Sequence, residues 1–442
     1  MIELSNIRTE KANSAVKLVC DLRSDSFAEK TMWFSAPERY GDIFTDEVYD
    51  AFLAAILYPA MYYREDIVVR GAVSKKLLKN ISTYVKKVLL AFSSDLADIS
   101  VTADGYGTVT KSGSLVGTGF SAGVDSFATF VEHYVNEDDA DYRINALFFF
   151  NVGSHGRFDS PDTVEKFKNR YEYCRKFPDG LHIPFIPVDS NVHSFHEVFG
   201  HMKTSAITLG AAILSVQKII AKYYVSSAVA YSEIDTAFAK DWSLAEFSET
   251  ALYPLLSPDG LEIIPDGEQY LRTEKTRLLS DYEPAREFLN VCVKGDGGYV
   301  SAENCSCCPK CLRTLMALDS MGKLQDFSGV FNIAAYRKHA FRYKCHQRLL
   351  YAKDPFAKDN IDFAWKNGKP VPPLALALVV CLPARIRALA VSSAKALLGE
   401  NTARKVKAWL KAKRAKNNGG GVQVNSVFVH TLSLTKMSKA AA

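Results

Sequence analysis

The feature that most constrains the fold of this chain is an alternation of apolar strand-like runs and helix-like runs that begins near residue 112. The predicted strands are Ser114–Phe120, Ile144–Phe150 and His182–Val188, and the predicted helices are Phe127–Tyr134, Thr163–Arg175 and Thr204–Tyr224. Ile144–Phe150 is a dense apolar run, which is typical of a strand buried on both faces of a parallel sheet. The pattern predicts an α/β fold with a doubly wound parallel sheet.

The chain of 442 residues is long enough for two or three domains. Residues 1–110 predict an accessory α+β domain, with strands at Leu18–Cys20 and Met32–Phe34 and a helix at Val48–Tyr58 that Pro59 ends. Residues 112–325 form the predicted α/β domain. Residues 326–416 predict a helical extension, and residues 417–442 predict a disordered tail rich in Gly, Ser and Asn.

A loop with phosphate-binding character follows the first strand of this α/β domain. Its sequence is Ser121-Ala122-Gly123-Val124-Asp125-Ser126, and it opens the next predicted helix. A turn from strand to helix aims backbone N–H groups at one point, and the helix dipole adds positive potential there. Gly123 and the small Ala122 let the backbone come close to a phosphate group, and Ser121 and Ser126 can donate hydroxyl hydrogen bonds to it. Asp125 would repel a bare phosphate, so we expect it to act through Mg²⁺. The non-functional alternative is a Ser/Gly-rich turn that only caps a helix.

Four of the nine cysteines crowd into Cys305–Cys311. Cys305, Cys308 and Cys311 have C-x-x-C spacing, and Cys292 lies upstream. Four thiolates make a closed tetrahedral site for a structural Zn²⁺ ion. Cys307 could replace Cys305 as a ligand, an iron–sulfur cluster is a second candidate, and a reactive disulfide pair is a third.

Together, the loop and the later cysteines resemble the 7-cyano-7-deazaguanine synthase family of N-type ATP pyrophosphatases (PP-loop enzymes). The loop is similar to their SGGxDS signature, with Ala122 in place of a glycine; alanine would be strained there if the position needs a positive φ. The resemblance covers roughly residues 112–325. It implies a Rossmann-like sheet of the adenine nucleotide alpha hydrolase type, ATP and Mg²⁺ at Ser121–Ser126, and Zn²⁺ at Cys292, Cys305, Cys308 and Cys311.

Two further segments match this family less strongly. Asn151-Val152-Gly153-Ser154-His155 follows the second predicted strand, so Gly153 and His155 are candidate ATP-binding residues. Lys275, in Arg272-Thr273-Glu274-Lys275, is a candidate catalytic residue that would neutralise developing phosphate charge. The non-functional alternatives are a surface histidine for His155 and a solvated helix face for Lys275.

The reaction that the resemblance implies is that of an ATP-dependent ligase forming C–N bonds. A small-molecule carboxylate would be adenylated with release of pyrophosphate, and ammonia would then displace AMP. Two alternatives remain: a tRNA thiolation enzyme, in which Cys307 would carry a persulfide, and a non-catalytic ATP-binding regulatory or defence component. The loop, not a protein nucleophile, carries the expected chemistry.

The net charge and the hydropathy of the chain limit the kinds of partner that we expect. The net charge of +5 does not favour general nucleic-acid binding, and a homodimer is compatible with the sequence. The first residues lack a signal-peptide core, and the longest apolar run, Leu374–Leu382, is too short to span a bilayer, so we expect a cytoplasmic protein. Asn401–Lys416 contains seven Lys or Arg and no acid; a membrane-surface helix is an alternative to a solvated tail, and the tail is favoured.

Overall fold

The computed structural model describes residues 1–28, 30–158, 160–238, 248–292, 303–382 and 386. The chain divides into two compact units, of which the first comprises Met1–Asn290 and the second starts at Val291 and includes the described residues from Glu303 onward. The division therefore falls at Asn290, whereas the expected domain boundaries lie near residues 111 and 325. The basic segment Asn401–Lys416 and the tail 417–442 lie outside the described residues.

The first unit is organised around a ten-stranded sheet with the order β10-β9-β6-β7-β8-β3-β2-β1-β4-β5. The strands are β1 (Ile2–Ala12), β2 (Ala15–Arg23), β3 (Thr31–Pro37), β4 (Ile67–Ser74), β5 (Val101–Gly107), β6 (Leu115–Gly119), β7 (Ala146–Phe150), β8 (Phe185–Ser190), β9 (Ile220–Ser226) and β10 (Glu262–Asp266). Strands β6 to β10 pair in parallel, as do β1, β4 and β5. Only the pairings of β1 with β2, β2 with β3 and β3 with β8 are antiparallel. This large, mostly parallel sheet is consistent with a Rossmann-like α/β fold.

The helices of the first unit follow the strands along the chain. They are α1 (Asp50–Tyr63), α2 (Lys75–Asn80), α3 (Lys86–Phe92), α4 (Val124–Phe130), α5 (Pro161–Cys174), α6 (Lys176–Leu181), α7 (His201–Ser215), α8 (Tyr231–Phe238), α9 (Glu249–Leu255), α10 (Arg272–Ser280) and α11 (Glu283–Phe288). The π-helical segments Ile81–Val85 and Val131–Val135 continue α2 and α4. In the described part of the second unit, α12 (Pro309–Met321), α13 (Ile333–Leu350) and α14 (Pro355–Lys366) are followed by helical residues 374–382.

Strand β7 shows why helices cover the sheet on both faces. Successive strand residues point to opposite faces. Phe149 stacks on Phe167 of α5, while its neighbours Phe148 and Phe150 contact Tyr223 and belong to the core that includes residues of α1, α7 and α9. All five residues of β7 are buried, as the continuous apolar run predicts.

The residues predicted as a separate accessory domain form half of the same sheet. Strands β1 to β3 make an antiparallel meander, and β3 joins β8 through Phe34 and Ser35. Helix α1 packs its apolar residues into the core shared with α7. The predicted strands at Leu18–Cys20 and Met32–Phe34 lie within β2 and β3.

The prediction that Pro59 ends the helix of this region is wrong. Helix α1 continues through Pro59 to Tyr63. Proline lacks the N–H that would bond the carbonyl four residues earlier, which is that of Ala55. The Nε2 atom of His196 lies 2.7 Å from this carbonyl oxygen, so a residue 141 positions away satisfies it.

The prediction of one long helix over Thr204–Tyr224 is also wrong at its end. Helix α7 stops at Ser215, and Ile220–Ser226 forms β9, the strand that pairs with β6 and β10. The β-branched and aromatic residues of this run favour a strand buried among neighbours. No helix among the described residues has the length and apolar character needed to cross a membrane.

Candidate functional site

The loop Ser121–Ser126 lies where the sheet changes its winding direction. From β6 the chain adds β7 and β8 on one side, and then returns to place β9 and β10 on the other side of β6. At such a switch point the connections leave in opposite directions and open a crevice beyond the carboxyl ends of the strands. Residues Ser121–Gly123 follow β6 at this crevice, and α4 begins at Val124.

Ala122 adopts the positive-φ conformation in which alanine is expected to be strained. Its φ is +58°, in the left-handed region, and its side chain is buried. A glycine would occupy this region without strain, whereas alanine is held there against a cost of roughly 1–2 kcal/mol. The carbonyl of Ala122 accepts a hydrogen bond of 2.7 Å from the backbone N–H of Asn290. The surrounding contacts therefore maintain the strained turn.

The two serines of the loop face each other. The Oγ atoms of Ser121 and Ser126 are 3.4 Å apart, and the Ser126 hydroxyl donates to the Gly123 carbonyl at 3.2 Å. Ser126 is buried, whereas Ser121 is exposed. The turn therefore places one buried and one exposed serine at the crevice.

A charged cluster joins the start of α4 to α10. Asp125 forms an ion pair with Arg272, and its Oδ1 atom lies 3.6 Å from the ammonium of Lys275. Lys275 is 1% exposed and also donates to the carbonyl of Ser227, after β9, at 2.6 Å. Gly267, after β10, leaves the space for this side chain, because a Cβ there would lie 3.1 Å from the Lys275 ammonium. Two cations and one carboxylate thus meet beside the loop.

Arg170 is a further cation of the site that the sequence did not single out. From α5 it donates to the Ser121 carbonyl at 2.7 Å and to the side-chain oxygen of Asn290 at 2.9 Å. Arg170 is 8% exposed. The sequence alone does not show that this guanidinium is buried at the site, because its partners lie 49 and 120 residues away along the chain.

The segment after β7 places Gly153 and His155 at the same edge of the sheet. Gly153 has a φ of +113°, and a Cβ there would lie 3.2 Å from the ring of His201. The Nδ1 atom of His155 lies 3.3 Å from the Asn151 side-chain oxygen. Burial, with a smaller contribution from the charge of Arg170, lowers the pKa of His155 to about 3. His155 is therefore neutral at pH 7.

Asp266, the last residue of β10, is a buried carboxylate at the same edge of the sheet, and the sequence did not single it out either. Asp266 accepts 2.6 Å and 2.8 Å hydrogen bonds from Thr129 and His133. Burial, the largest single influence, raises the pKa of Asp266, but the hydrogen bonds from His133, Thr129 and the Gly267 backbone, together with the attraction of His133, hold the pKa below its ordinary value. The ring of His133 stacks on Tyr224 at 3.8 Å. This carboxylate anchors β10 to the helix that starts at the loop.

The second unit contains a cluster of four cysteines. The sulfur atoms of Cys292, Cys305, Cys308 and Cys311 all lie within 4.8 Å of one another. The Cys292–Cys308 and Cys305–Cys311 pairs are 4.0 Å and 3.9 Å apart. Cys307 is not a member of the cluster, which agrees with C-x-x-C spacing for the ligands. The four cysteines could bind a metal such as zinc.

The local backbone is arranged to stabilise negative sulfur. The N–H of Cys308 donates to the sulfur of Cys305 at 3.2 Å, and the N–H of Cys311 donates to Cys308 at 3.5 Å. Hydrogen bonds from the Cys292, Cys308 and Cys311 thiols lower the pKa of Cys305, whereas those to Cys292, Cys305 and Cys308 raise the pKa of Cys311. The opposite pKa shifts mean that the neighbouring thiols compete to carry the negative charge. A divalent cation would stabilise all four as thiolates. The donor set fits a metal.

Asn304 and Ser306 support the cysteine turn. The Asn304 side chain accepts from the N–H of Val291 at 2.8 Å and donates to the Val330 carbonyl at 3.0 Å. Ser306, with a φ of +56°, accepts a 2.8 Å hydrogen bond from the N–H of Asn332. These contacts fix the turn before α12 begins at Pro309.

Comparison of the chain with protein-family models, with curated protein sequences and with solved structures gave no match.

Proposed function

We propose that the chain is an ATP-dependent adenylating enzyme with an adenine nucleotide alpha hydrolase-like fold. It activates a small-molecule carboxylate by transfer of AMP, with pyrophosphate as the product, and ammonia then displaces AMP. The observation that carries the proposal is the position of Asp125 between Arg272 and Lys275, beside the loop at the switch point of the sheet. A carboxylate and two cations are the groups needed for a magnesium-bound triphosphate.

The cluster has the groups that Mg·ATP requires. Asp125 would hold the magnesium ion, and Arg272 and Lys275 would neutralise the charge on the β- and γ-phosphates, which grows as the bond from the α-phosphorus breaks. Because Lys275 is buried and anchored by the Ser227 carbonyl, its charge is positioned before the reaction.

The covalent steps need no protein nucleophile. A substrate carboxylate oxygen attacks the α-phosphorus, a new O–P bond forms, and the bond to pyrophosphate breaks. The nitrogen of ammonia then attacks the acyl carbon, the C–O bond to AMP breaks, and solvent takes the excess proton. The loop contributes orientation through Ser121, Gly123 and Ser126, and His155 contributes a neutral hydrogen bond.

The cysteine cluster holds Zn²⁺ as a structural ion in this proposal. Cys292, Cys305, Cys308 and Cys311 supply four thiolates, which close the coordination sphere of a tetrahedral ion and leave no position for substrate. The ion ties a short loop-rich segment together, and small metal-bound segments often depend on their ion for folding.

The test is release of pyrophosphate and AMP from Mg·ATP, in the presence of ammonia and a panel of carboxylates. We expect the wild-type protein to release both and Asp125→Ala to release neither. Glu283→Gln, at the start of α11, is a matched control that removes a carboxylate away from the cluster. Formation of ADP and phosphate by the wild type would contradict the proposal.

The competing functions give different outcomes of the same assay. Release of pyrophosphate that requires a tRNA and a sulfur donor would favour thiolation. Tight ATP binding without cleavage, under every substrate condition, would favour a non-catalytic ATP-binding component.

A further inference from the structure

The helical residues 374–382 of the second unit present apolar side chains to solvent on most of their circumference. Every side chain in this segment is apolar. Ala377 and Cys381, one helical turn apart, are its only buried residues, and both pack in a small cluster with Cys345 of α13. The large residues on the other faces are each between 40% and 68% exposed: Leu374, Leu376, Leu378, Val379 and Leu382. A helix that is apolar all round is normally buried in protein or in lipid, so this surface calls for a partner.

The neighbouring helix α13 adds an exposed aromatic ring and two cations. Phe341 is 53% exposed and precedes Cys345 by four residues, which places both side chains on the same face of α13. Lys338 and Arg342, also exposed, flank Phe341 on this helix. Exposed apolar and basic side chains therefore adjoin the buried contact between α13 and residues 374–382.

The charge of the chain is divided unevenly along the sequence. Residues 1–302 contain 30 Lys or Arg and 42 Asp or Glu, whereas residues 303–442 contain 24 Lys or Arg and seven Asp or Glu. The net charges of the two parts are therefore −12 and +17. Ten of the basic residues, with a single acid, lie in residues 383–416, directly after the apolar helix. This asymmetry indicates an anionic partner for the C-terminal part of the chain.

We propose that residues 374–382 dock on an anionic lipid surface, with their apolar side chains among the lipids and the basic residues that follow against the headgroups. Apolar burial combined with attraction to anionic headgroups is what holds peripheral helices on membranes. Pro383, Arg385 and Arg387 interrupt the apolar run, so it lies on the bilayer and does not cross it. Nucleic acid would use the positive charge but would leave the exposed leucines in water, which favours lipid. This inference does not depend on the proposed function.

Flotation of the full chain with lipid vesicles tests the proposal. The probes are vesicles of phosphatidylcholine alone and vesicles in which about one third of the lipid is phosphatidylglycerol. We expect the anionic vesicles to bind at least about ten-fold more tightly than the neutral ones, and the binding to weaken as salt is added. On anionic vesicles, amide hydrogen exchange should slow in peptides covering residues 374–382 and stay unchanged in α5. Absence of binding to both kinds of vesicle would overturn the proposal.

A matched pair of substitutions separates the apolar contact from the change of charge. Val379, 68% exposed, and Val164 of α5, 66% exposed, are the same residue type at solvent-facing helical positions. Val379→Glu should weaken binding to anionic vesicles by about ten-fold or more, whereas Val164→Glu should bind like the wild type. Both variants should keep the thermal unfolding midpoint of the wild type, because neither side chain is buried. Wild-type binding by Val379→Glu would show that the apolar helix does not contact lipid.

Other occupants of this surface would give different results. A dimer in analytical ultracentrifugation that Val379→Glu dissociates, without vesicle binding by the wild type, would assign the surface to a second copy of the chain and overturn the proposal. Binding of tRNA that Val379→Glu leaves intact, again without vesicle binding, would assign the positive charge to nucleic acid and would overturn it as well.

Discussion

Arg272 of α10 forms an ion pair with Asp125 at the start of α4, across 147 residues of sequence. Lys275, one helical turn further, faces the second oxygen of the same carboxylate at 3.6 Å. Asp125 compensates the charge of the two cations. Its removal leaves Lys275 buried beside a like charge, which is unfavourable at low dielectric.

The first prediction concerns the coupling between these charges. We expect Asp125→Asn to lower the free energy of unfolding by about 2–3 kcal/mol, because it leaves buried charge uncompensated. Lys275→Met should cost clearly less in the Asp125→Asn background than in the wild type, with a coupling energy of about 1 kcal/mol. Urea denaturation of the two single variants and the double variant measures the cycle. Additive costs would show that the contact at 3.6 Å carries no net interaction.

The second prediction concerns the strained residue of the loop. Ala122→Gly relieves the strain of a positive φ but loses a buried methyl group and adds flexibility to the unfolded chain, so we expect a change within about 1 kcal/mol. Ala122→Val places a branched side chain at the same φ in a buried turn and should cost about 2 kcal/mol or more. Nucleotide binding should survive the first change and fail with the second. Similar stability of the two variants would show that the turn tolerates rearrangement.

The third prediction concerns the thiol cluster. The purified protein should contain one zinc ion per chain, and Cys311→Ser should lose it together with much of the stability of the second unit, because binding of a structural zinc contributes about 10 kcal/mol or more. Cys307→Ser is the matched control, since Cys307 lies outside the cluster. Elemental analysis and thermal unfolding of the two variants measure these effects. Loss of zinc in Cys307→Ser would assign that residue to the site.

Local signals in the sequence were sufficient for the loop and for the cysteine turn. Strand, small residues and helix follow one another within Ser114–Tyr134, and C-x-x-C spacing brings thiols together through one turn, so no distant contact had to be known. Arg170 and Asn290 could not be recognised, because a buried guanidinium and an amide acquire their role only from partners far along the chain. The same applies to the bond between Asp266 and His133.

The two errors in the secondary-structure prediction also have a tertiary cause. Pro59 does not end α1 because His196 supplies the hydrogen bond that the Ala55 carbonyl lacks. The run Ile220–Ser226 became a strand because β6 and β10 supply partners on either side of it. Periodicity alone does not separate a buried strand from a buried helix.

The last prediction concerns the stability of the fold in acid. Burial lowers the pKa of His193 and of His196 to about 4, and each side chain is less than 5% exposed. Both are therefore neutral in the folded protein, while in the unfolded chain they gain protons near pH 6.5. Below that pH the unfolded state binds more protons, so the free energy of unfolding decreases as the pH falls, by about 1.4 kcal/mol per pH unit for each histidine until the pKa near 4 is reached. Urea denaturation between pH 7 and pH 5 measures this slope, to which His155 also contributes because burial lowers its pKa to about 3.

His193→Phe removes one of these histidines and should reduce the slope, whereas His182→Asn, at an exposed position with a φ of +58°, should leave it unchanged. An equal slope in the wild type and in His193→Phe would show that this histidine is protonated in the folded state or is hydrated.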